Sequence, residues 1–324
     1  MHDVVFQAFS GVSLLLVLLP ISWHIRAVNT GTLSLIFYVF FGNLFYFVNS
    51  VVWFNALWDP APVWCDITAK FQVGMSVGIP AACLCTNRRL YLIATMQLPQ
   101  LDGPSLRRLA FKELSLTAGL PAAVMVLHYI VQGRRYDIVQ GVGCWAHTYW
   151  CWNAIWLVFQ WPFTLGLASL AYGGEHGFKR SSRYIRLMAL SCGEMAFTLP
   201  LGFWIFYLSV GDAGINPWIS WDYVHAHWYD IEFRSDLILQ STPLEWVVTS
   251  LTRWCLPVSA IAFFVFFGLS GGAMQEYMKA LRFVLNKLHI KIPYGFPQTG
   301  HMSLLTSPQY THAQRRAGGN ILSI

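Results

Sequence analysis

Residues 27–58 read AVNTGTLSLIFYVFFGNLFYFVNSVVWFNALW and contain no formally charged side chain. A helix needs about 20 mostly apolar residues to cross a bilayer, so this stretch predicts a membrane span. Six other stretches with almost no charge occur along the chain. The seven predicted spans lie within residues 4–25, 27–58, 71–87 (extending to 93), 114–133, 138–174, 187–211 and 254–275. The predicted fold class is therefore an all-α membrane protein, a seven-transmembrane helix bundle.

The composition argues against a water-soluble enzyme. Of the 324 residues 56% are hydrophobic and 11% are charged, whereas soluble proteins carry about 25% charged residues. The net charge of +6 would indicate nucleic-acid binding only if the basic residues gathered on one exposed face, and they do not. No GxSxG, P-loop or GxGxxG motif stands in a strand context, and no HExxH motif or paired CxxC spacing is present. The sequence predicts no catalytic residue, metal site, cofactor or nucleic-acid partner.

The first apolar run has an alternative reading as a cleaved signal peptide. No Lys or Arg precedes the run, and it is longer than the apolar region of a typical signal peptide. Both features favour a span that is retained.

The basic residues predict how the bundle is oriented. If the N-terminus is outside, most of the 21 Lys and Arg residues fall in cytoplasmic loops, as the positive-inside rule requires. The sequence therefore predicts an outer N-terminus and a cytoplasmic C-terminus. The predicted inner basic residues include Arg88, Arg89, Arg107, Arg108, Lys179, Arg180, Arg183 and Arg186.

Three residues within the predicted spans are candidates for a conformational switch. Glu194 is the single formally charged residue well inside a predicted span, and such a carboxyl group is either functional or hydrogen-bonded between helices. Pro200 and Pro257 lie in the last two predicted spans, where proline kinks a helix and can act as a hinge. Proline is also simply more common in membrane helices than in soluble ones.

Two cysteines are candidates for a disulfide on the outer side. Cys65 opens the third predicted span and Cys144 lies in the second outer loop, in the compartment where a disulfide persists. A bridge between them would fasten the loop over the bundle. Cys151 is an outer competitor.

The segment after the last span is predicted to lie on the membrane. Apolar residues fall on one side of residues 273–290 and basic residues flank them, a pattern typical of an amphipathic interfacial helix. The predicted organisation is thus a bundle in 1–272, this helix in 273–290 and a disordered cytoplasmic tail in 291–324.

Several short motifs resemble the fungal mating-pheromone receptors of the a-factor (lipopeptide) type, class D G-protein-coupled receptors. They are WCDITAK at 64–70, PAACLCTNRRL at 80–90 and QGRRYDI at 132–138, and the resemblance covers residues 1 to about 290. It differs from the rhodopsin-like class, because Asn87, Arg88 and Arg89 stand where that class has Asp-Arg-Tyr. The resemblance implies a multi-pass plasma-membrane receptor in mating, with a farnesylated, carboxymethylated peptide as ligand and a heterotrimeric G protein as partner, and leaves a homodimer open.

The outer loops supply the candidate ligand-binding residues. An aromatic and acidic surface suits a basic or aromatic peptide, although aromatic residues of this kind also occur simply at the headgroup level. The candidates are Arg134, Arg135 and Tyr136 in the second outer loop and Trp218, Trp221, Asp222, Trp228, Asp230, Glu232 and Asp236 in the third. The eight inner basic residues named above would face the Gα subunit. The rival interpretation is a seven-helix transporter or channel.

Overall fold

A computed structural model describes residues 4–26, 28–95, 97, 102–176, 202–204, 206–207, 214–269, 274 and 277–278. The chain divides into two compact units, Met1–Ser270 and Gly271–Ile324, and every element below belongs to the first. The predicted boundaries at 272 and 290, the amphipathic helix and the disordered tail are not tested and stay predictions.

The first unit consists mainly of helices. The helices before the first strand are α1 (Val4–Leu18), α2 (Ile21–Arg26), α3 (Thr30–Val52), α4 (Pro62–Ala94), α5 (Gly103–Leu114) and α6 (Leu120–His128), with a 3₁₀ turn at Tyr129–Val131. The strands are β1 (Asp137–Val139), β2 (Gly143–Trp145) and β3 (Phe233–Arg234). The later helices are α7 (Trp152–Ala154), α8 (Gln160–His176), α9 (Trp221–His225), α10 (Asp236–Ser241) and α11 (Pro243–Phe263). Single π-helical turns lie at Ser115–Gly119, Ile155–Phe159 and Phe264–Gly268.

Five helical segments are long and apolar enough to cross a membrane. They are Thr30–Val52, Pro62–Ile93, Gly103–Val131, Trp152–Tyr172 and Glu245–Phe266, and each overlaps a predicted span. The first predicted span contains the shorter apolar helix Val4–Leu18. The sixth, 187–211, lies outside the described residues except for 202–204 and 206–207. The chain is thus a membrane protein with several apolar helices, while the count of seven and the orientation stay predictions.

Three spans begin earlier than the charge pattern predicts. The predicted fourth span begins at Gly103 with α5, whose Arg107 and Arg108 side chains are exposed. Helix α4 begins at Pro62, before Lys70, and α11 begins at Pro243, well before Trp254. The predicted limits of α4 and α11 were wrong because charged side chains inside these two helices find partners in the fold. Arg253, for example, is 3% exposed, lies 4.6 Å over the Phe6 ring and donates to the Gly141 carbonyl at 3.5 Å.

Helix α4 lies at the centre, packed against α3, α6 and α8, while α1 packs against α3 and α11. Small residues permit the closest approach, as membrane helices require. A Cβ atom on Gly78 of α4 would lie 2.2 Å from Cζ of Tyr38 in α3, so Tyr38 occupies the space that a side chain at 78 would fill. Apolar side chains such as Val17, Leu35, Ala82 and Phe263 fill the core between α1, α3, α4 and α11.

A small sheet, which the all-α prediction did not contain, covers one end of the bundle. Strand β1 is central, antiparallel to β2 and parallel to β3. We call this the disulfide end, where α3 ends and α4 begins. The opposite end holds α2 and the first turns of α5. Strands of two or three residues carry too little periodicity to be read from a sequence.

Candidate functional site

The disulfide between Cys65 and Cys144 is present in the structure. It joins the first turn of α4 to β2 across 79 positions of sequence, a loop length at which a bridge stabilises a fold by about 4–5 kcal/mol in the chain-entropy description. Cys151, the predicted competitor, is a buried free cysteine. The disulfide therefore holds the second loop against the bundle, as the sequence predicts.

The residue beside Cys144 shows why the loop comes so close. Gly143 has φ of +84°, and a Cβ atom there would lie 2.6 Å from Cβ of Asn49 and 3.1 Å from the Trp53 ring. Glycine is thus required both for the backbone conformation and for the contact with α3. The second loop is seated directly on the end of α3.

The sheet places the two predicted ligand-binding loops side by side. Ile138 of β1 pairs with Cys144 of β2 and Phe233 of β3. Its amide donates to the Glu232 carbonyl at 2.9 Å, and the Gln140 amide donates to the Arg234 carbonyl at 3.0 Å. Segments almost 100 residues apart in sequence therefore form one continuous surface.

A chain of ion pairs, which we call the salt-bridge chain, crosses this sheet. Arg134 contacts both Glu232 and Asp137, the latter at 3.5 Å. Arg234 continues the chain, with Nε 3.0 Å from Glu232 and Nη1 2.9 Å from Glu245. Glu245 lies in the first turn of α11. The chain thus connects the second loop, through β3, to the last described membrane helix.

Charge pairing shifts the pKa values within the salt-bridge chain. Burial alone would raise the pKa of Asp137, but the hydrogen bond from His147 at 2.9 Å and the charges of Arg234 and Arg134 hold it below its usual value. Burial likewise opposes ionisation of Glu232, but the hydrogen bond from Arg134 and the charge of Arg234 lower its pKa. Both carboxyl groups are therefore ionised at neutral pH and stabilised by the fold.

Arg135 and Tyr136, the other two ligand-binding candidates in the second loop, also contact protein groups. Arg135 donates two hydrogen bonds to Asp66 of α4, one of them 3.2 Å long. Tyr136 is completely buried and donates to Asp59 at 2.6 Å. Burial and that hydrogen bond raise the pKa of Tyr136. In this structure Tyr136 is therefore inaccessible to a ligand.

The third loop carries an exposed aromatic and acidic surface. Trp218, Trp221, Asp222 and Asp230 are exposed, and Trp228 is half-buried. Asp230 accepts a hydrogen bond from the neighbouring exposed side chain of His227 at 2.8 Å. We call these five candidate residues, Trp218, Trp221, Asp222, Trp228 and Asp230, the acidic aromatic face. The remaining candidate, Asp236, begins α10, and its amide donates to Gln140 Oε1 at 3.1 Å.

Stacked rings support the acidic aromatic face from below. The rings of Trp221 and His225 stack at 4.0 Å, and Tyr129 lies 5.5 Å from Trp221 and 5.0 Å from Trp228. Both His225 ring nitrogens lie within 2.9 Å of a carbonyl oxygen, those of Trp221 and Tyr129. Tyr129 and His225 are not among the residues predicted from the sequence. The only available indication was the four-residue spacing between Trp221 and His225, which places both on one helix face.

Within the described part of the chain, no group of three His, Cys, Asp or Glu residues could hold a metal ion. The geometry offers hydrogen-bonding, ionic and aromatic contacts, which suit the binding of a ligand. A family model described as STE3: Pheromone A receptor matches residues 5–288. The chain belongs to the STE3 pheromone receptor family. It is a G-protein-coupled-receptor-type protein of a family that does not consist of enzymes.

Several fungal proteins resemble this STE3-family chain. Pheromone B alpha 1 receptor of Schizophyllum commune is 34% identical over 322 residues, which is 94% of this chain and 50% of the relative. Pheromone receptor 1 of Ustilago hordei is 31% identical over 304 residues, 87% of this chain and 84% of the relative. Pheromone a factor receptor of Saccharomyces cerevisiae is 33% identical over 168 residues, 46% of this chain and 35% of the relative. The chain spans about half the length of the Schizophyllum commune relatives. No solved structure matches it.

The opposite end of this STE3-family receptor carries four of the predicted G-protein-facing residues. Arg107 and Arg108 of α5 are exposed, and Arg88 is half-buried. Arg89 lies 3.5 Å from Glu113 and donates to the Val28 carbonyl at 2.6 Å. Val28 has φ of +48°, which a β-branched residue rarely adopts, so Arg89 braces a strained turn. The predicted residues Lys179, Arg180, Arg183, Arg186, Glu194 and Pro200 lie outside the described residues.

Proposed function

We propose that this receptor binds a farnesylated peptide mating pheromone at the plasma membrane and signals to a heterotrimeric G protein. The curated relatives are named as pheromone receptors, and one as an a factor receptor. The proposed topology has seven spans, an outer disulfide end and a cytoplasmic C-terminus.

Two observations support an outer disulfide end. A disulfide persists in an oxidising compartment, which the cytoplasm is not. The start of α1 lies at the same end, because Gln7 donates to the carbonyl of Ser50 at the end of α3, at 2.9 Å. The N-terminus and the disulfide are thus proposed to lie outside together.

The acidic aromatic face is the observation that carries the ligand assignment. In this structure Arg134, Arg135 and Glu232 pair with other protein groups, whereas Trp218, Trp221 and Asp222 are exposed. Exposed indole rings and carboxylates attract cationic and aromatic side chains. We therefore propose that the acidic aromatic face recognises the peptide part of the ligand. The salt-bridge chain is proposed to hold this face in place.

The lipid group of such a ligand fits the setting of the site. A lipid chain gains about 0.8 kcal/mol per buried CH₂ group, which concentrates the ligand at the membrane surface. The peptide part then distinguishes one pheromone from another through its contacts with the second and third outer loops. On the inner side, the exposed Arg107 and Arg108 are proposed to contact the Gα subunit together with the predicted basic residues from 179 to 186.

Expression in a yeast strain that lacks its own pheromone receptor and carries a mating reporter tests the proposal. We expect a panel of synthetic farnesylated peptides to contain at least one that activates the reporter at low concentration. The same peptide without the farnesyl group is the matched control and should be far less potent. If no farnesylated peptide activates a receptor that reaches the cell surface, or if the purified protein instead transports a solute, the proposal is wrong.

A further inference from the structure

Lys70 of α4 is a half-buried cation that contacts no carboxylate among the residues the structure describes. Its Nζ atom lies 3.1 Å from His128 Nδ1, 3.5 Å from the Met125 carbonyl oxygen and 5.7 Å from the centre of the Tyr129 ring. These are its contacts in the described part of the chain, and none is with a carboxylate. Removing a cation from water without a counter-ion costs free energy. A hydrogen-bond acceptor on a ligand would lower that cost.

The carboxylate that would ordinarily neutralise Lys70 is bound elsewhere. Asp66 lies one helical turn before Lys70, at the i, i+4 spacing that favours an ion pair. Arg135 contacts both carboxylate oxygens of Asp66. The fold thus directs the acid to the second loop. Asp66 acts on Lys70 only through its nearby charge, and the described groups in direct contact with Lys70 Nζ are neutral.

The ammonium group of Lys70 determines the direction of the hydrogen bonds around it and the tautomer of His128. Lys70 can only donate, so it donates to His128 Nδ1, and the neutral imidazole then carries its hydrogen on Nε2. That nitrogen lies 2.9 Å from Thr148 Oγ1, to which it donates. Since the Met125 carbonyl oxygen lies at the limit of hydrogen-bond length, at least one Lys70 hydrogen is available for another acceptor.

Lys70 sits at a membrane-facing edge of the bundle. Val63 and Ile67, seven and three residues earlier on α4, are 71% and 53% exposed, and Val126 of α6 is 73% exposed. Apolar side chains so exposed on membrane helices face lipid. The Tyr129 ring joins this edge to Trp221 and Trp228 of the acidic aromatic face.

We propose that Lys70 binds the lipidated end of the ligand, by donating a hydrogen bond to the carbonyl oxygen of its terminal cysteine ester. This inference rests on the proposed function and deepens it. The prenyl chain lies in lipid along Ile67 and Val126, the ester carbonyl meets Lys70, and the peptide continues past Tyr129 to the acidic aromatic face. An ester or amide carbonyl is the appropriate acceptor, because it accepts hydrogen bonds without requiring a charge at the membrane edge.

Photolabelling of the full chain in phosphatidylcholine vesicles tests the proposal. The probe is N-acetyl-S-farnesyl-cysteine methyl ester with a diazirine in the prenyl chain. We expect labelling of peptides that contain residues 62–70 and 120–129. Excess unlabelled ester should compete, whereas farnesyl methyl sulfide, which has the chain but no carbonyl group, should not.

Three variants sharpen the test. Lys70→Met keeps the length of the side chain and removes its donor, so labelling at these positions should fall about tenfold, as expected for one lost charge-assisted hydrogen bond. Lys70→Arg should retain most of it. Val258→Ala, at an exposed apolar position on α11, is the control and should leave labelling unchanged.

The outcomes separate this inference from the proposed function. If farnesylated peptides activate the reporter but labelling falls elsewhere or is unchanged in Lys70→Met, the inference is overturned and the receptor assignment stands. The vesicles are made of ether-linked phosphatidylcholine, so that no bilayer ester carbonyl can occupy Lys70. If no farnesylated peptide activates the receptor, both proposals fall.

Discussion

The hydroxyl group of Tyr38 in α3 donates a 2.6 Å hydrogen bond to the carbonyl oxygen of Thr117. Thr117 lies four residues before Pro121, and proline has no N–H with which to bond that carbonyl in a regular helix. The same residue lies in the π-helical turn Ser115–Gly119. Tyr38 thus supplies, from a neighbouring helix, a donor that the proline cannot provide, which is how membrane bundles tolerate proline.

Replacing Tyr38 with phenylalanine removes this donor and keeps the ring against Gly78. We expect the free energy of unfolding to fall by about 1–3 kcal/mol, because a buried carbonyl loses its partner. The midpoint of thermal unfolding in detergent measures the change. Tyr223→Phe, at an exposed tyrosine, is the control and should leave the midpoint unchanged. Equal midpoints for the two variants would contradict this account.

Loss of the disulfide should unseat the second loop. Cys65→Ser or Cys144→Ser removes a stabilisation of about 4–5 kcal/mol, so we expect little receptor at the cell surface. Cys151→Ala, which removes a free thiol, should be displayed normally. Mass spectrometry without reduction should find the peptides of Cys65 and Cys144 linked. A linkage through Cys151 instead would refute the assignment.

The salt-bridge chain should make the disulfide end sensitive to acid. The pKa values of Asp137 and Glu232 are lower in the fold than their usual values of 3.8 and 4.5. Their stabilising contribution is therefore complete well above pH 4.5 and is lost as the pH falls through their folded values. We expect the unfolding midpoint to drop between about pH 5 and pH 3.

The variant Asp137→Asn separates this effect from general acid denaturation. It should be less stable than the native receptor at pH 7 and should lose less stability on acidification. Asp222→Asn, at an exposed carboxylate, should follow the native curve. Identical pH dependence in all three proteins would exclude the salt-bridge chain as the cause.

Changes on the acidic aromatic face should alter ligand potency and leave the fold intact. With the active peptide from the yeast panel, Trp221→Ala or Asp222→Asn should raise the half-maximal concentration about tenfold, which corresponds to roughly 1.4 kcal/mol. Asp102→Asn, an exposed carboxylate at the opposite end, is the control. Unaltered potency in both face variants would place the peptide elsewhere.

The arginines at the end opposite the disulfide should fall into two groups. Some are expected to activate the G protein, and one is expected to stabilise the fold. Neutralising Arg107 and Arg108 together should weaken activation of the G protein while peptide binding is retained, because both side chains are exposed. Arg89→Gln should instead lower the unfolding midpoint, since it removes the pairing with Glu113 and the bond to Val28. Nucleotide exchange on Gα and thermal unfolding distinguish the two effects. If the Arg107 and Arg108 double variant activates the G protein normally, these two residues do not belong to the surface that contacts it.

The membrane helices, the disulfide and the family could all be read from the sequence. Long stretches without charge identify helices because a bilayer excludes both unpaired charge and unpaired backbone groups. Five of these stretches overlap long apolar helices, and Cys65 pairs with Cys144 as expected. The ends of α4 and α11 were misplaced, because a single charge does not end a helix when the fold supplies it with partners.

The contacts made by the loops required three-dimensional information. Arg134 and Glu232 are 98 positions apart, and a two-residue strand brings them together, which no local pattern encodes. The same folding buries Tyr136, binds Asp66 to Arg135 and leaves Lys70 without a direct carboxylate contact among the described residues. Lipid exclusion acts on each segment independently and so can be read along the chain, whereas the pairing of charges between loops depends on which distant segments the disulfide and the sheet place side by side.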